Sequence, residues 1–189
     1  GGDGGVPAGG ARCAGAGVAT MIAATAYGET VTGPEQGNLT ALLGQILHGG
    51  KTVPATVIWT GAQITELAIG RHVRPGGAGV YEFADGLIVP GLIDLHVHGG
   101  GGYAWQDGPA AIVAAASWLA ANGTTGFLAS LPALAWQRLT AAAHDLAAAC
   151  ASGEPPNLLG LHLEGPFLSS RRAGSIGAAH LREPSLADY

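Results

Sequence analysis

Residues 91–102 read Gly-Leu-Ile-Asp-Leu-His-Val-His-Gly-Gly-Gly-Gly, a short apolar strand that opens into a glycine run. Strand side chains alternate between two faces, so the polar side chains of this strand share one face: Asp94, His96 and His98. Two imidazoles that lie two residues apart at the end of a strand can point at the same ion. The stretch therefore predicts a site where a strand opens into a loop, the usual place for one on a parallel α/β scaffold.

The sequence before this strand has two parts. Residues 1–50 form a Gly/Ala-rich leader without an assigned function, in which a helix over Leu39–Leu47 is one interpretation. Residues 51–89 are richer in β-branched side chains and predict three short strands: Pro54–Thr60, Gln63–Ile69 and Gly79–Phe83. The first two form a hairpin across Gly61-Ala62. This part of the chain therefore predicts a small sheet.

After Pro90 the sequence alternates between strands and helices. The predicted strands are Leu92–Val97, Thr124–Ser130 and Leu158–Glu164, and the predicted helices are Pro109–Ala121 and Leu134–Ala151. Strands that alternate with helices of this length indicate a parallel sheet built from right-handed βαβ units. We therefore assign the chain to the α/β class.

The third predicted strand repeats the pattern of the first. Alternation in Leu158-Leu-Gly-Leu-His-Leu-Glu164 places His162 and Glu164 on one face. Neighbouring parallel strands would deliver these groups and the His96-x-His98 pair to one pocket at the mouth of a barrel. Imidazole with carboxylate is the ligand set expected for zinc or iron in a hydrolytic site. The alternative is structural, with the paired histidines filling a polar layer of the interior.

The composition restricts the partners. Apolar residues make up 48% of the 189-residue chain and charged residues 11%, which favours a buried core over a disordered chain. The net charge is -5 and the largest basic cluster is Arg171-Arg172, so neither a nucleic acid nor a membrane is expected as a partner. Cys13 and Cys150 lack metal-binding spacing and are interpreted as free thiols in a reducing cytosol. We therefore expect a cytoplasmic protein.

The glycine run Gly99–Gly102 has two interpretations. Backbone N–H groups in glycine turns can bind phosphate, but no Lys-Ser/Thr pair follows, so a Walker-type loop is rejected. A tight loop that brings the chain close to the metal pocket fits better. The chain also has no Gly-x-Ser-x-Gly motif, so a serine hydrolase is not supported.

Three segments resemble the amidohydrolase superfamily. They are Val89–His98 with the glycine run that follows, Gly123–Leu128 (Gly-Thr-Thr-Gly-Phe-Leu) and Gly160–Leu168 (Gly-Leu-His-Leu-Glu-Gly-Pro-Phe-Leu). The last segment, with His-Leu-Glu-Gly-Pro-Phe, resembles the N-acetylglucosamine-6-phosphate deacetylases in particular. The resemblance spans residues 52–189. It implies a small β-sandwich portion over 51–89, followed over 90–189 by the first three β/α units of a metal-dependent-hydrolase (β/α)8 barrel.

The resemblance also implies a reaction. These deacetylases hydrolyse the acetamide of N-acetylglucosamine 6-phosphate to glucosamine 6-phosphate and acetate, with one or two divalent ions, zinc or iron, as cofactor. By position, Glu164, His96 and His98 match metal ligands, and Asp94 and His162 would orient those ligands. The partner would be a small-molecule amino sugar phosphate, and the full-length parent would be a homodimer.

The resemblance further implies that residues outside this chain complete the site. A complete barrel takes about 250 residues, so the chain would be an N-terminal fragment with an incomplete barrel. The general-base aspartate and the remaining metal histidines are expected in the missing half, and the fragment alone is expected to be inactive. Ile176 stands where the family commonly has a histidine near the sugar, and His180 lies four residues further on. The exact sugar and the substrate-binding residues therefore stay open.

Two other functions stay open at this point. One is another amidohydrolase, such as a dihydroorotase-like enzyme or an amino-acid deacetylase, which the same His96-x-His98 pair would serve. The other is a non-catalytic remnant or interaction module, because an unclosed parallel sheet leaves unpaired edges that favour association.

Overall fold

The computed structural model describes residues 25–26, 29–30, 39–61 and 63–185. Most of the predicted leader therefore lies outside the described residues. The first described elements are two short strands, β1 (Thr25–Ala26) and β2 (Glu29–Thr30), which pair antiparallel.

Four strands form the first large sheet: β3 (Leu39–His48), β4 (Lys51–Thr60), β5 (Gln63–Ile69) and β6 (Gly79–Leu87). Their order is β5-β4-β3-β6, with β3 antiparallel to β4, β4 antiparallel to β5, and β3 parallel to β6. The predicted hairpin and the third predicted strand are confirmed. The sheet also includes residues 39–48, which pair with the strands of residues 51–89.

Strand β3 shows that the interpretation of Leu39–Leu47 as a helix is wrong. The strand pairs with β4 along its whole length. Gly49 and Gly50, with φ of +58° and +76°, form the turn between the two strands. Glycine adopts positive φ at little steric cost, and two such residues make the favoured two-residue hairpin turn. Cross-strand pairing set by this turn outweighs the spacing of the leucines.

The second large sheet begins at the strand that carries His96. Its elements, with those that connect them, follow in chain order: β7 (Leu92–Val97), β8 (Gly99–Gly100), β9 (Tyr103–Ala104), a 3-10 turn (Trp105–Asp107), α1 (Pro109–Ala121), β10 (Thr124–Pro132), α2 (Trp136–Ser152) and β11 (Leu158–Glu164). The sheet order is β11-β10-β7, and both pairs are parallel. The predicted alternation of strands and helices is therefore confirmed, with ends that differ only in β10 and α2.

Both helices pack on one face of the parallel sheet. The central strand β10 contributes three fully buried side chains to this core: Phe127, Ala129 and Leu131. They pack with Ile112 of α1 and with Leu139 and Leu146 of α2. Full burial of a large apolar side chain, such as that of Phe127 or Leu131, stabilises the layer by about 1.5–3 kcal/mol. The opposite face carries Ser130 and His162, together with the apolar side chain of Leu128.

Trp105 connects the end of β7 to this core. Its ring is fully buried and stacks on Phe127, with the ring centroids 4.9 Å apart. Its indole Nε1 donates a hydrogen bond to the carbonyl oxygen of Val97, the last residue of β7. The packing of one side chain therefore holds the point at which the strand ends.

The composition predicted that the chain has no membrane partner and that its two cysteines are free thiols. Neither α1 nor α2, the two α-helices of the described residues, has the length and hydropathy of a membrane-spanning helix. Cys150 lies in α2 and is not a free thiol, so that prediction is wrong for this residue. Disulfide formation depends on which cysteines the fold brings together, which sequence spacing does not determine. Cys13 lies outside the described residues.

Truncation of Trp105 tests whether this side chain organises the end of β7. We expect Trp105→Ala to lower the free energy of unfolding by about 3–5 kcal/mol, because it removes a fully buried aromatic ring. Trp105→Phe keeps the stacking on Phe127 but loses the donor to Val97, and should cost about 1–2 kcal/mol. The measurement is urea denaturation followed by circular dichroism.

The matched control is Trp118→Phe. Trp118 lies on α1 and is 47% exposed, so this substitution should change the free energy of unfolding by less than about 0.5 kcal/mol. Equal effects of the phenylalanine substitutions at the two tryptophans would contradict the role assigned to Trp105.

Candidate metal centre

The ends of two strands bring three metal-competent side chains together. His96 lies in β7, His98 follows its last residue, and Glu164 is the last residue of β11. The Nε2 atoms of the two histidines are 3.2 Å apart, and Glu164 Oε2 lies 3.5 Å from His96 Nε2 and 3.2 Å from His98 Nε2. The three side chains are 39–50% exposed, so an ion or a small ligand has access to them. The predicted convergence of these three groups is present.

The spacing of the three donor atoms fits a bound metal ion. Bonds of about 2.0–2.1 Å at tetrahedral angles separate neighbouring ligand atoms by about 3.3 Å. The three observed separations of 3.2, 3.2 and 3.5 Å lie close to that value. Two imidazole nitrogens and one carboxylate oxygen are also the ligand types that zinc and iron accept. The donor set therefore fits a divalent ion with a further position open to water.

A hydrogen bond determines which nitrogen of His98 faces the site. His98 Nδ1 lies 2.9 Å from the carbonyl oxygen of Ser130 in the neighbouring strand β10. A carbonyl oxygen can only accept a hydrogen bond, so Nδ1 carries the ring proton and donates the hydrogen bond. Neutral His98 therefore has an unprotonated Nε2, and this is the atom that faces Glu164 and His96. Metal-binding histidines are commonly oriented by this kind of contact.

Asp94 contacts the site through the backbone of His96. The Asp94 Oδ1 atom accepts a hydrogen bond of 3.0 Å from the His96 backbone N–H. The register between β7 and β10 shifts twice along this stretch, so the strand is irregular where Asp94 lies. The carboxylate thereby stabilises the local path of the chain that presents His96. The predicted role of Asp94 in orienting a ligand stays a prediction, and this contact supports it.

His162 lies beside the three converging groups. Its ring centroid is 5.0 Å from that of His96, with the planes inclined by 58°. Its Nδ1 atom lies 3.0 Å from the hydroxyl oxygen of Ser130, which is fully buried. Sequence reasoning missed Ser130, because its position opposite His162 depends on the register between β10 and β11. No pattern within the segment of β10 indicates that contact.

The glycine run forms a hairpin at the end of β7. Strand β8 pairs with β9, and Gly99 has a φ of +143°. A Cβ atom on Gly99 would lie 2.0 Å from the Tyr103 carbonyl oxygen, and one on Gly100 would lie 2.7 Å from the Trp118 ring. Glycine is required here because the chain approaches its own backbone and α1. The predicted tight loop is present, and its close contacts are with these elements.

The charged surroundings of Glu164 are also defined. Within residues 39–61 and 63–185, its carboxylate lies beside the two histidine nitrogens, and two arginine–carboxylate ion pairs lie elsewhere: Arg74–Glu82 and Arg138–Asp107. The Glu164 carboxylate therefore faces the imidazole nitrogens of His96 and His98.

The two residues considered for the sugar site, Ile176 and His180, lie in local turns. Their backbone N–H groups donate hydrogen bonds to the carbonyl oxygens of Ala173 and Gly177. Their part in sugar binding stays open.

Comparisons with known proteins identify the class to which the chain is similar. No family model matches the chain. A curated relative from Bacillus subtilis, named N-acetylglucosamine-6-phosphate deacetylase, is 36% identical over 118 residues, which are 60% of this chain and 30% of the relative. A relative from Shewanella, named N-acetylgalactosamine-6-phosphate deacetylase, is 33% identical over 104 residues, which are 54% of this chain and 26% of the relative. The chain spans less than a third of the length of these relatives.

Solved structures show the same similarity. An N-acetyl-D-glucosamine-6-phosphate deacetylase variant from Mycobacterium smegmatis, solved in complex with N-acetyl-D-glucosamine-6-phosphate, superposes with a TM-score of 0.65 at 26% identity, over 80% of this chain and 39% of that one. The deacetylase from Pasteurella multocida superposes with a TM-score of 0.63 at 21% identity and shows the shared fold, over 79% of this chain and 40% of that one.

The chain thus resembles the deacetylases that act on N-acetylated amino sugar phosphates, over part of their length. Within that class it resembles the N-acetylglucosamine-6-phosphate deacetylases, and the resemblance identified from its sequence is confirmed.

Replacement of Glu164 tests the metal centre. Glu164→Gln keeps the shape of the side chain but removes the negative charge and replaces one carboxylate oxygen with an NH2 group. We expect the zinc affinity of the full-length protein to fall more than about 100-fold, the upper end of the loss seen when only a ligand-orienting group is removed. The measurement is competition with a chromophoric chelator, with bound zinc counted by mass spectrometry.

His144→Gln provides the matched control for zinc binding. His144 is exposed on α2, outside the three converging groups, and its loss should leave the zinc affinity unchanged. Wild-type affinity in the Glu164→Gln variant would rule out this carboxylate as a ligand.

Proposed function

We propose that the full-length protein is a metal-dependent deacetylase that hydrolyses N-acetylglucosamine 6-phosphate to glucosamine 6-phosphate and acetate. The convergence of His96, His98 and Glu164 at the ends of β7 and β11 carries this proposal. The curated relatives support it, since they are named as deacetylases of acetylated amino sugar phosphates. By itself, a set of two histidines and one glutamate would be compatible with many hydrolytic reactions, so the relatives are needed to select one.

In this proposal His96, His98 and Glu164 hold a divalent ion, with zinc or iron as the predicted metal. The bound ion supplies an activated water and polarises the acetamide carbonyl. The chain's own residues set the geometry: Ser130 orients His98 through its carbonyl oxygen, and Asp94 holds the backbone of His96. The general-base aspartate and the remaining ligands are expected in the part of the relatives' length that this chain does not span. The predicted inactivity of the chain alone follows from that expectation.

The proposal also includes the domain organisation. Residues 51–89 form a β-sandwich portion in it, and residues 90–189 the first three β/α units of a (β/α)8 barrel. Leu42 and Leu43 point to opposite faces of β3, which pairs with β4 and β6, and they are 3% and 0% exposed. A sandwich requires a covered face on each of its sheets, and this strand has one. The parallel order β11-β10-β7 supports the barrel.

The most specific part of the proposal is the identity of the sugar. Relatives named for N-acetylglucosamine 6-phosphate include those from Bacillus subtilis and Lysinibacillus sphaericus, and relatives named for N-acetylgalactosamine 6-phosphate include the one from Shewanella. The two sugars differ only in the configuration of the 4-hydroxyl group. We propose N-acetylglucosamine 6-phosphate as the substrate, which is also the sugar in the solved complex from Mycobacterium smegmatis. The homodimer and the cytoplasmic location stay predictions.

Acetate release by the full-length protein tests the reaction. With zinc, iron or manganese supplied, we expect acetate and glucosamine 6-phosphate in equal amounts from N-acetylglucosamine 6-phosphate. Glu164→Gln should lower kcat/KM more than about 100-fold, since loss of even a ligand-orienting group costs up to that factor. His144→Gln should retain wild-type activity. A metal-loaded protein that releases no acetate from any acetylated sugar phosphate would favour the non-catalytic alternative.

A parallel assay with N-acetylgalactosamine 6-phosphate tests the sugar. We expect kcat/KM for the glucosamine epimer to be at least about 10-fold higher, a difference of about 1.4 kcal/mol in transition-state binding. The two assays share enzyme, metal and acetate detection, so only the 4-hydroxyl configuration differs. A preference for the galactosamine epimer would reassign the substrate and leave the reaction class intact.

A further inference from the structure

Ser130 occupies a central position with respect to the candidate metal centre. It lies on β10, the middle strand of the parallel sheet, and is fully buried. Its carbonyl oxygen accepts the hydrogen bond from His98 on one neighbouring strand, and its hydroxyl group contacts His162 on the other. One residue therefore holds an imidazole on each side of it.

These two contacts depend differently on the identity of residue 130. The contact with His98 uses the backbone carbonyl, which every amino acid has. The contact with His162 uses the hydroxyl group, which only serine and threonine supply in this position of a strand. The register places Ser130 opposite His162, so the two side chains point to the same face. The hydroxyl group therefore acts on His162 specifically.

His96 needs support that His98 already has. His98 Nδ1 is held by Ser130, whereas in the described residues the His96 ring has contacts only through its Nε2 atom and its ring faces and edges. Its neighbours are His98, with centroids 5.0 Å apart at 84°, and His162, with centroids 5.0 Å apart at 58°. The ring of His162 thus lies as close to the His96 ring as the ring of His98 does.

We propose that Ser130 is a positioning residue of the metal centre, which acts through His162 on His96. The hydroxyl group holds the His162 ring, the His162 ring supports the His96 ring, and His96 Nε2 is thereby directed at the position shared with His98 and Glu164. This inference rests on the metal centre of the proposed function. It requires no contact between Ser130 and the substrate.

Ser130→Val and Ser130→Thr separate the hydroxyl group from the shape of the side chain. Valine and threonine have nearly the same volume, and only threonine can bond to His162. For the full-length protein we expect Ser130→Val to weaken zinc and cobalt(II) binding about 10-fold, within the range for loss of a ligand-orienting partner. Ser130→Thr should restore the wild-type affinity. The visible spectrum of bound cobalt(II) should change in Ser130→Val and not in Ser130→Thr.

Thr56→Val controls for the loss of a buried hydroxyl group as such. Thr56 is fully buried in the other large sheet, and its Oγ1 accepts a hydrogen bond of 2.8 Å from the Val73 N–H. Removing that hydroxyl group should lower stability in the denaturation assay but leave the cobalt(II) affinity and spectrum unchanged. A general effect of weakened folding would appear in both valine variants.

A double-mutant cycle tests the route through His162. If Ser130 acts only through that ring, Ser130→Val should have no further effect on cobalt(II) affinity in a His162→Ala background. An undiminished effect in that background, or wild-type affinity and spectrum in Ser130→Val, would overturn the proposal. So would a wild-type protein that binds neither metal. A protein that binds cobalt(II) but releases no acetate would contradict the deacetylase alone, because these measurements need no substrate.

Discussion

The parallel pairing of β10 with both β7 and β11 is the constraint on which the rest of the second sheet depends. Each strand by itself sends alternate side chains to opposite faces. Only the register between strands decides which of those side chains meet. On the helix-covered face the pairing assembles Phe127, Ala129 and Leu131 into the core under α1 and α2. On the other face it brings imidazole and carboxylate groups to within hydrogen-bond distance.

The candidate metal centre follows from this division of the sheet into two faces. Apolar packing under the helices holds the strands in place, and the opposite face then presents its polar groups from a fixed frame. Trp105 adds to this by stacking in the core while it bonds to the backbone at the end of β7. The positions of His96, His98 and Glu164 therefore depend on packing that lies on the opposite side of the sheet. This arrangement suits a site that must keep its geometry while its side chains stay accessible.

The sequence predicted much of the second sheet and less of the first. In the second sheet, Leu92–Val97 and Leu158–Glu164 match the observed strands residue for residue, since their apolar runs are bounded by clear glycine and proline signals. In the first, the leucines of residues 39–47 suggested a helix, although Gly49 and Gly50 carried a hairpin signal that was missed. Short apolar segments are ambiguous between the two structures, and tertiary pairing resolves them.

The sequence by itself determined which groups could take part in the site. The alternation around His96, His98, His162 and Glu164 is local, because it depends only on the period of a strand. The tertiary structure alone decided that Glu164 faces both histidines, and that Ser130 lies between His98 and His162. Those contacts join residues about 30 to 70 positions apart, and they depend on cross-strand register, which is set by packing and turns together. Local alternation therefore indicates which side chains could belong to a site, and the pairing of the strands determines which of those side chains are in contact.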